Sequence, residues 1–264
     1  MKPSTPPKPL PLAAVLAVCI AGAPAQAGNG KKSDVVPDPD WKSAPSARYA
    51  ALEPAGCHAA LRKRKIEFEV VPQAPGVLAP VRIPKGVGGV VFRTMLPRDQ
   101  GKTSPWEVFD CRLVLALDDF AAILVRHDIG EALIFSAWRP PPKSWPEGEI
   151  ARRHPGGLAV DVLALVRKKP ESDDGGEKAK SETERAPRLD VEKHFGGKIG
   201  SESCGPKARA PHPKTAEALE LRAIYCDAAA GRMFTSMLSP NYDRAHHNHF
   251  HLEITPDVSW RMVR

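Results

Sequence analysis

The chain has 264 residues, 42% hydrophobic and 26% charged, which is a globular balance and enough length for one domain plus a leader and loose segments. Its formal charge of +7 comes from basic residues that are scattered or set among acidic ones. No basic run is interleaved with aromatics, which argues against nucleic acid as a partner.

Residues 1–27 read as a signal peptide. Lys2 and Lys8 form a positive start, Leu10 to Ala23 a short apolar stretch, and Ala25-Gln26-Ala27 a small-x-small cleavage site. Leu16-Ala17-Val18-Cys19 resembles a lipoprotein signal, which makes Cys19 a minor candidate for an anchor, although Val18 is large for its position. No other segment is apolar for long enough to cross a bilayer. The expected destination is the periplasm or the extracellular space, where a mildly basic protein is drawn to anionic envelope polymers. Cys57, Cys111, Cys204 and Cys226 remain after processing. An even number in an exported chain points to two disulfides, and three pairings are open. Cysteine as a zinc ligand is the weaker reading, because no Cys-x-x-Cys pair exists.

Residues 28–53 are rich in Gly, Lys, Ser, Pro and Asp and read as a flexible leader, with the ordered domain over 54–264. Cys57 to Lys63 predicts a short helix, and Ile66 to Val70 alternates as a strand does. Val81-Arg82-Ile83 and Val90-Val91-Phe92 are further strand candidates. Cys111 to His127 is the clearest helix, with Leu113, Leu117, Phe120 and Leu124 on one apolar stripe. Ala132 to Ala137 and Ala159 to Val166 read as buried strands. A charged insertion is expected at about 167–203, its first half mobile and Val191 to Ile199 returning to order. Thr215 to Ala229 predicts a second helix, with Ala218, Leu221, Ile224 and Tyr225 on one face. Met233 to Leu238 and His249 to Ile254 complete the strands.

Five of the nine histidines lie in two clusters, one at His154-Pro155-Gly156-Gly157-Leu158-Ala159-Val160-Asp161 and one at His246-His247-Asn248-His249-Phe250-His251. On a strand His249 and His251 share a face, while Phe250, Leu252 and Ile254 share the other. One imidazole can then bind a metal while its neighbour moves protons. Gly156-Gly157 lets the chain fold back so that His154 approaches Asp161, and the small Ala159 leaves room above the sheet. Two neutral histidines and one carboxylate leave a fourth tetrahedral position, the open geometry of catalytic zinc. His58, His127, His194 and His212 are read as surface or packing residues.

This constellation resembles the zinc peptidase superfamily of lysostaphin, the D-alanyl-D-alanine metallopeptidases and the hedgehog signalling domain. Within it, the sequence is similar to the bacterial extensin-like C-terminal domain, through Leu238-Ser239-Pro240-Asn241-Tyr242-Asp243, His246-x-x-His249-Phe250-His251-Leu252, Pro80-Val81-Arg82, Cys57 and Cys111. The resemblance implies an α+β domain, a small antiparallel sheet with flanking helices and a zinc site on the sheet face, of the hedgehog and D,D-peptidase kind. It implies one Zn2+ held by His154, Asp161 and His251. It also implies His249 as general base or stabiliser of the tetrahedral intermediate, His246 as a further active-site histidine, and Arg139 facing the substrate. The structural alternative for Arg139 is a salt bridge. The implied activity is amide hydrolysis in the peptide part of peptidoglycan. Two cysteines usual in the family, near Gly76-Val77 and near Arg139, are missing, and Cys204 has no counterpart. Set beside the resemblance, the pairing hypothesised is Cys57–Cys111 and Cys204–Cys226. The rival functions are a zinc-containing envelope-binding module without turnover, a nuclease suggested by His247-Asn248-His249, and a cell-wall structural protein suggested by the 28 prolines.

Overall fold

The computed structural model describes residues 35–168 and 187–264. The expected signal peptide with Cys19, the start of the leader and the most charged part of the insertion lie outside the described residues.

The first described elements are β1 (Val36–Pro37), α1 (Pro45–Ala50), α2 (Pro54–Lys63), β2 (Glu69–Val70), β3 (Pro80–Arg82), β4 (Val91–Thr94), α3 (Arg98–Gly101) and β5 (Phe109–Asp110). They are followed by α4 (Cys111–Arg126), β6 (Ile129–Ile134), β7 (Ala159–Arg167), β8 (Arg188–Asp190), α5 (Val191–His194), α6 (Ala216–Ala230), β9 (Ser236–Leu238), β10 (Phe250–Glu253) and β11 (Trp260–Val263). The fold is a mixed α+β architecture, as expected, but the main sheet is larger than a small antiparallel one. It has eight strands in the order β1-β11-β9-β10-β7-β6-β4, with β8 added on β7. Two of its pairs, β4 with β6 and β11 with β9, are parallel. The β4-to-β6 connection contains α4, the kind of long crossover that a parallel pair needs. A second sheet of three strands joins β2, β3 and β5.

β7 is the axis of the main sheet. One edge carries β6, and the other is shared by β10 over Ala159–Val162 and by β8 over Ala164–Val166. Its flanks are largely buried, which is why the sequence runs apolar from Ala159 to Val166 with Asp161 as the exception, before ending at Arg167.

The helices cover one face of this sheet. α4 starts at Asp110, whose side chain accepts from Arg112 N at 2.9 Å and so caps the first turn. The same buried carboxylate pairs with Arg112 Nε at 2.8 Å, so the cap carries its own countercharge. α6 starts at Thr215, which accepts from Ala218 N at 3.1 Å. Phe250 of β10 packs edge-on against Phe195 (5.2 Å between ring centroids) and tilted against Tyr225 of α6 (5.1 Å). Phe250, Leu252 and Ile254 are fully buried in this core. Each such side chain contributes about 1.5–3 kcal/mol over exposure. The alternation leaves His251 and Glu253 on the opposite face.

The expected leader is partly ordered. Val36 and Pro37 pair with Arg261 and Trp260 of β11. α1 buries Tyr49 and Ala50 against α4, and the Tyr49 hydroxyl donates to Asp119. Arg232 adds a bond to Asp38 Oδ2 at 2.7 Å. These anchors are long-range and leave no periodic signature in so short a segment. The strand expected at Ile66–Val70 is only Glu69–Val70, because Lys65 turns the chain through φ 57° and Ile66 enters the core. Within the expected insertion, residues 188–195 are ordered, with Leu189, Val191 and Phe195 buried. The Arg222 guanidinium is inserted among the carbonyls of Gly196 (2.7 Å), Arg209 (3.3 Å), Ser203 (3.4 Å) and Phe195 (3.4 Å). It thereby satisfies backbone acceptors that the segment after α5 would otherwise leave unpaired.

Both expected disulfides are present. Cys57–Cys111 ties α2 to the first residue of α4, and Cys204–Cys226 ties the segment after α5 to α6. Among the described residues, no helix is long and apolar enough to cross a membrane.

Candidate metal centre

Asp161 and His251 face each other directly across the β7–β10 pair. Their side chains share the face away from the helices, and His251 Nδ1 lies 2.9 Å from Asp161 Oδ1. His154 reaches the same oxygen from a single 3-10 turn, with Nε2 at 3.1 Å. Its approach depends on the glycines that follow. A Cβ on Gly156 would lie 2.3 Å from Ala151 O, and one on Gly157, at φ +62°, would lie 2.8 Å from Asp110 N. Any other residue at either position would push the turn away from the sheet.

The segment after β6 completes the frame. Phe135 N donates to Asp161 O and Arg139 N to His154 O, so residues 135–139 hold both halves of the site. Ala137 O accepts from His154 Nδ1 at 2.8 Å. A carbonyl can only accept, so this contact places the proton on Nδ1 and leaves the Nε2 lone pair facing Asp161. His251 is oriented in the reverse sense. Its Nε2 lies 3.0 Å from Glu253 Oε2, and Glu253 Oε1 accepts from Thr255 Oγ1 at 2.8 Å.

His154, Asp161 and His251 are all buried, and their three ligand atoms lie within 4.8 Å of one another. The donor set, two imidazole nitrogens and one carboxylate oxygen aimed at a common point, fits a metal such as zinc and leaves a fourth position open. Burial pushes the Asp161 carboxyl up, but the adjoining imidazoles of His154, His249 and His251 outweigh it and hold the group well below the usual carboxylate range. Burial opposes charge on His251 as well, yet Asp161 and Glu253 raise its imidazole above the ordinary value. Burial likewise pushes Glu253 up, and His251 and Thr255 bring it below its ordinary value.

The remaining site residues named from the sequence gather at the same place. His249 Nε2 lies 3.4 Å from Asp161 Oδ1, and its Nδ1 lies 2.8 Å from Asn248 Oδ1. The His246 ring is 5.3 Å from that of His249 and 5.7 Å from that of His251. Asp243 Oδ1 holds His246 Nδ1 at 2.7 Å, but burial dominates and lowers the His246 imidazole below its ordinary value. Arg139 binds Asp161 Oδ2 through Nη2 and Ser136 Oγ through Nε at 2.8 Å. The salt-bridge alternative for Arg139 is thus met in geometry, and the guanidinium remains half exposed.

Sequence reasoning missed Glu253, Asn248, Asp243 and Ser136. Glu253 had a usable signal, since it follows His251 by two on a strand and must share its face. Three of the four histidines read as ordinary make packing or surface contacts: His58 stacks on Phe68, His127 pairs with Glu220, and His194 accepts from Asp190 N.

No curated protein and no solved structure matches this chain. The segment from just before α6 to the C-terminus, residues 209–264, matches the extensin-like protein C-terminus family; it contains His246, His249 and His251, and it supports the extensin-like reading for that part of the chain.

Proposed function

We propose that this chain is an exported zinc-dependent peptidase that hydrolyses amide bonds in the peptide part of peptidoglycan, within the lysostaphin, D,D-peptidase and hedgehog superfamily. The observation that carries the proposal is the buried His154, Asp161 and His251 group with a second, non-ligating histidine beside it. Two disulfides favour an oxidising compartment, which supports export.

When bound by these three residues, zinc supplies Lewis-acid polarisation of a carbonyl and a nucleophile at neutral pH. Proton movement falls to His249. With Nδ1–H donated to Asn248 Oδ1, its Nε2 is the accepting nitrogen and faces the centre. It takes the proton of the attacking water and returns it to the leaving amine. His246 packs on His249 and is itself held by Asp243, so it limits the rotation of the His249 ring. Arg139 keeps Asp161 oriented, and its exposed edge offers a fixed cation to developing negative charge or to a peptide carboxylate.

The first experiment is zinc content by elemental mass spectrometry, wild type beside Asp161→Ala, followed by digestion of purified murein. About one zinc per chain, lost in the variant, is the expected result. His249→Ala should keep the metal and lose hydrolysis. A folded wild type that takes up no zinc would refute the metal centre. Zinc retention with no digestion of murein by the wild type would leave a binding module instead.

A further inference from the structure

Two clefts share Gly200, Ser201 and Glu202, in the segment between α5 and α6. The inner one, about 260 Å³, is bounded by Asn241 and Tyr242, and the outer one, about 360 Å³, by Lys198, Lys207 and Arg209. The shared residues join them into one groove. Its inner end adjoins the candidate metal centre: the Tyr242 ring stands 5.5 Å from that of His246, and the His246 ring 5.7 Å from that of His251. The walls are fixed to the core. Gly200 N donates to Asn241 O at 2.6 Å, Arg209 N donates to Glu202 O at 3.1 Å, and Cys204 is tied to Cys226 of α6.

The charge of the groove is one-sided. Among the described residues, Glu202 is the only acidic side chain that lines it, and Arg264 Nη1 already answers that charge at 3.6 Å. Lys198, Lys207 and Arg209 are exposed, and none of their side chains has a hydrogen bond or an ion pair among the described residues. The half-buried Tyr242 hydroxyl is likewise without a hydrogen-bond partner among them. Three cations on one concave surface repel one another, and an anion lying among them relieves that repulsion.

We propose that this groove holds a carboxylate-bearing part of a peptide substrate, with Lys198, Lys207 and Arg209 meeting the carboxylates and the Tyr242 hydroxyl donating to the peptide nearer the candidate centre. The proposal rests on the peptidase reading for the fate of the peptide, while binding of the acidic part needs no turnover. Lysines suit this task, as compact charges on flexible stems that follow a carboxylate in varied positions. The two ring-to-ring steps from Tyr242 to His251 span roughly 10 Å, about three residues of extended chain, so the acidic group lies about that far from the bond that is cut.

The test is amide NMR titration of the purified protein with the peptide acetyl-Ala-Glu-Ala-Glu-amide, with its Gln counterpart and with inorganic phosphate. Saturable shifts clustered at residues 198–209 and Tyr242 are expected for the acidic peptide. Its binding should be at least about fivefold tighter than that of the other two at about 0.01 M salt, and should weaken as salt rises to about 0.15 M. Replacing Lys198, Lys207 and Arg209 together by Gln should weaken it about fivefold or more with zinc content unchanged. Replacing the exposed Lys42, Lys63 and Lys102 by Gln makes the same change in net charge and should weaken it less than about twofold. Tyr242→Phe, which removes only a hydroxyl, should weaken it about twofold to fivefold. Equal binding of the Gln peptide or of phosphate, shifts outside the groove, unchanged binding in either groove variant, or equal losses in the two triple variants would each overturn the proposal. Acidic-peptide binding at the groove of a protein that takes up no zinc would refute the metal-centre reading and leave the groove assigned.

Discussion

Glu253→Gln probes the candidate metal centre through a residue outside the His154, Asp161 and His251 group. Glu253 is buried, accepts from Thr255 Oγ1 at 2.8 Å through one oxygen, and faces His251 Nε2 at 3.0 Å through the other. An anionic acceptor at that place draws the imidazole proton to Nε2, which leaves Nδ1 free on the side of Asp161. Glutamine keeps the shape but has one acceptor and one donor. If its oxygen remains with Thr255, its amide N–H meets Nε2 and favours the tautomer with the proton on Nδ1, the nitrogen that the proposed metal would need. If it flips, the charge is still lost. Outer partners of this kind are worth about 10–100-fold in metal affinity, or about 1.4–2.7 kcal/mol. The assay is competition for zinc against a chromophoric chelator, with Glu220→Gln as control. Glu220 is also part-buried, but it pairs with Arg167 far from the centre, at 2.6 Å. Zinc affinity in Glu253→Gln within about twofold of wild type would refute the assignment of Glu253 as the residue that sets the His251 tautomer.

The other predictions concern the frame. Replacing Cys204 and Cys226 by serine opens a link between residues 22 apart and should cost about 3 kcal/mol in urea unfolding; the corresponding loss for Cys57 and Cys111, 54 apart, is about 4 kcal/mol. An order that is reversed, or no loss at all, would contradict the chain-entropy reasoning. Gly157→Ala puts a Cβ 2.8 Å from Asp110 N at φ +62° and should cost about 1–3 kcal/mol in thermal unfolding while lowering zinc retention, because the turn bearing His154 is displaced. Unchanged zinc content in that variant would show that the turn places His154 without the glycine.

The gathering of His154, Asp161 and His251 was legible because these residues obey short-range rules. Period two on β10 sorts His249, His251 and Glu253 from Phe250, Leu252 and Ile254, and a Gly-Gly pair after His154 announces a close approach. α4 was legible from its apolar stripe, and α6 from Leu221, Ile224 and Tyr225 on one face. The size of the sheet was not. β1, β8 and β11 are two to four residues long, and each is defined by a partner distant in sequence rather than by its own pattern. β8 also sits inside a charged stretch, where composition points to solvent. Arg222 escaped for a related reason: on a helix it reads as exposed, and only the carbonyls after α5 give it a buried role.

The two oxygens of Asp161 explain how the Arg139 ion pair leaves room for the proposed substrate-facing role. Oδ1 collects His154, His249 and His251, at 3.1, 3.4 and 2.9 Å. Oδ2 takes only Arg139 among the contacts of this centre. A carboxylate that must present one oxygen to a cation needs its other oxygen held, or it rotates and loses direction. Arg139, itself fixed by Ser136, provides that hold while keeping half of its guanidinium open to solvent. The inner edge of the guanidinium therefore orients Asp161, while its outer edge stays open to solvent and compatible with the proposed role toward substrate.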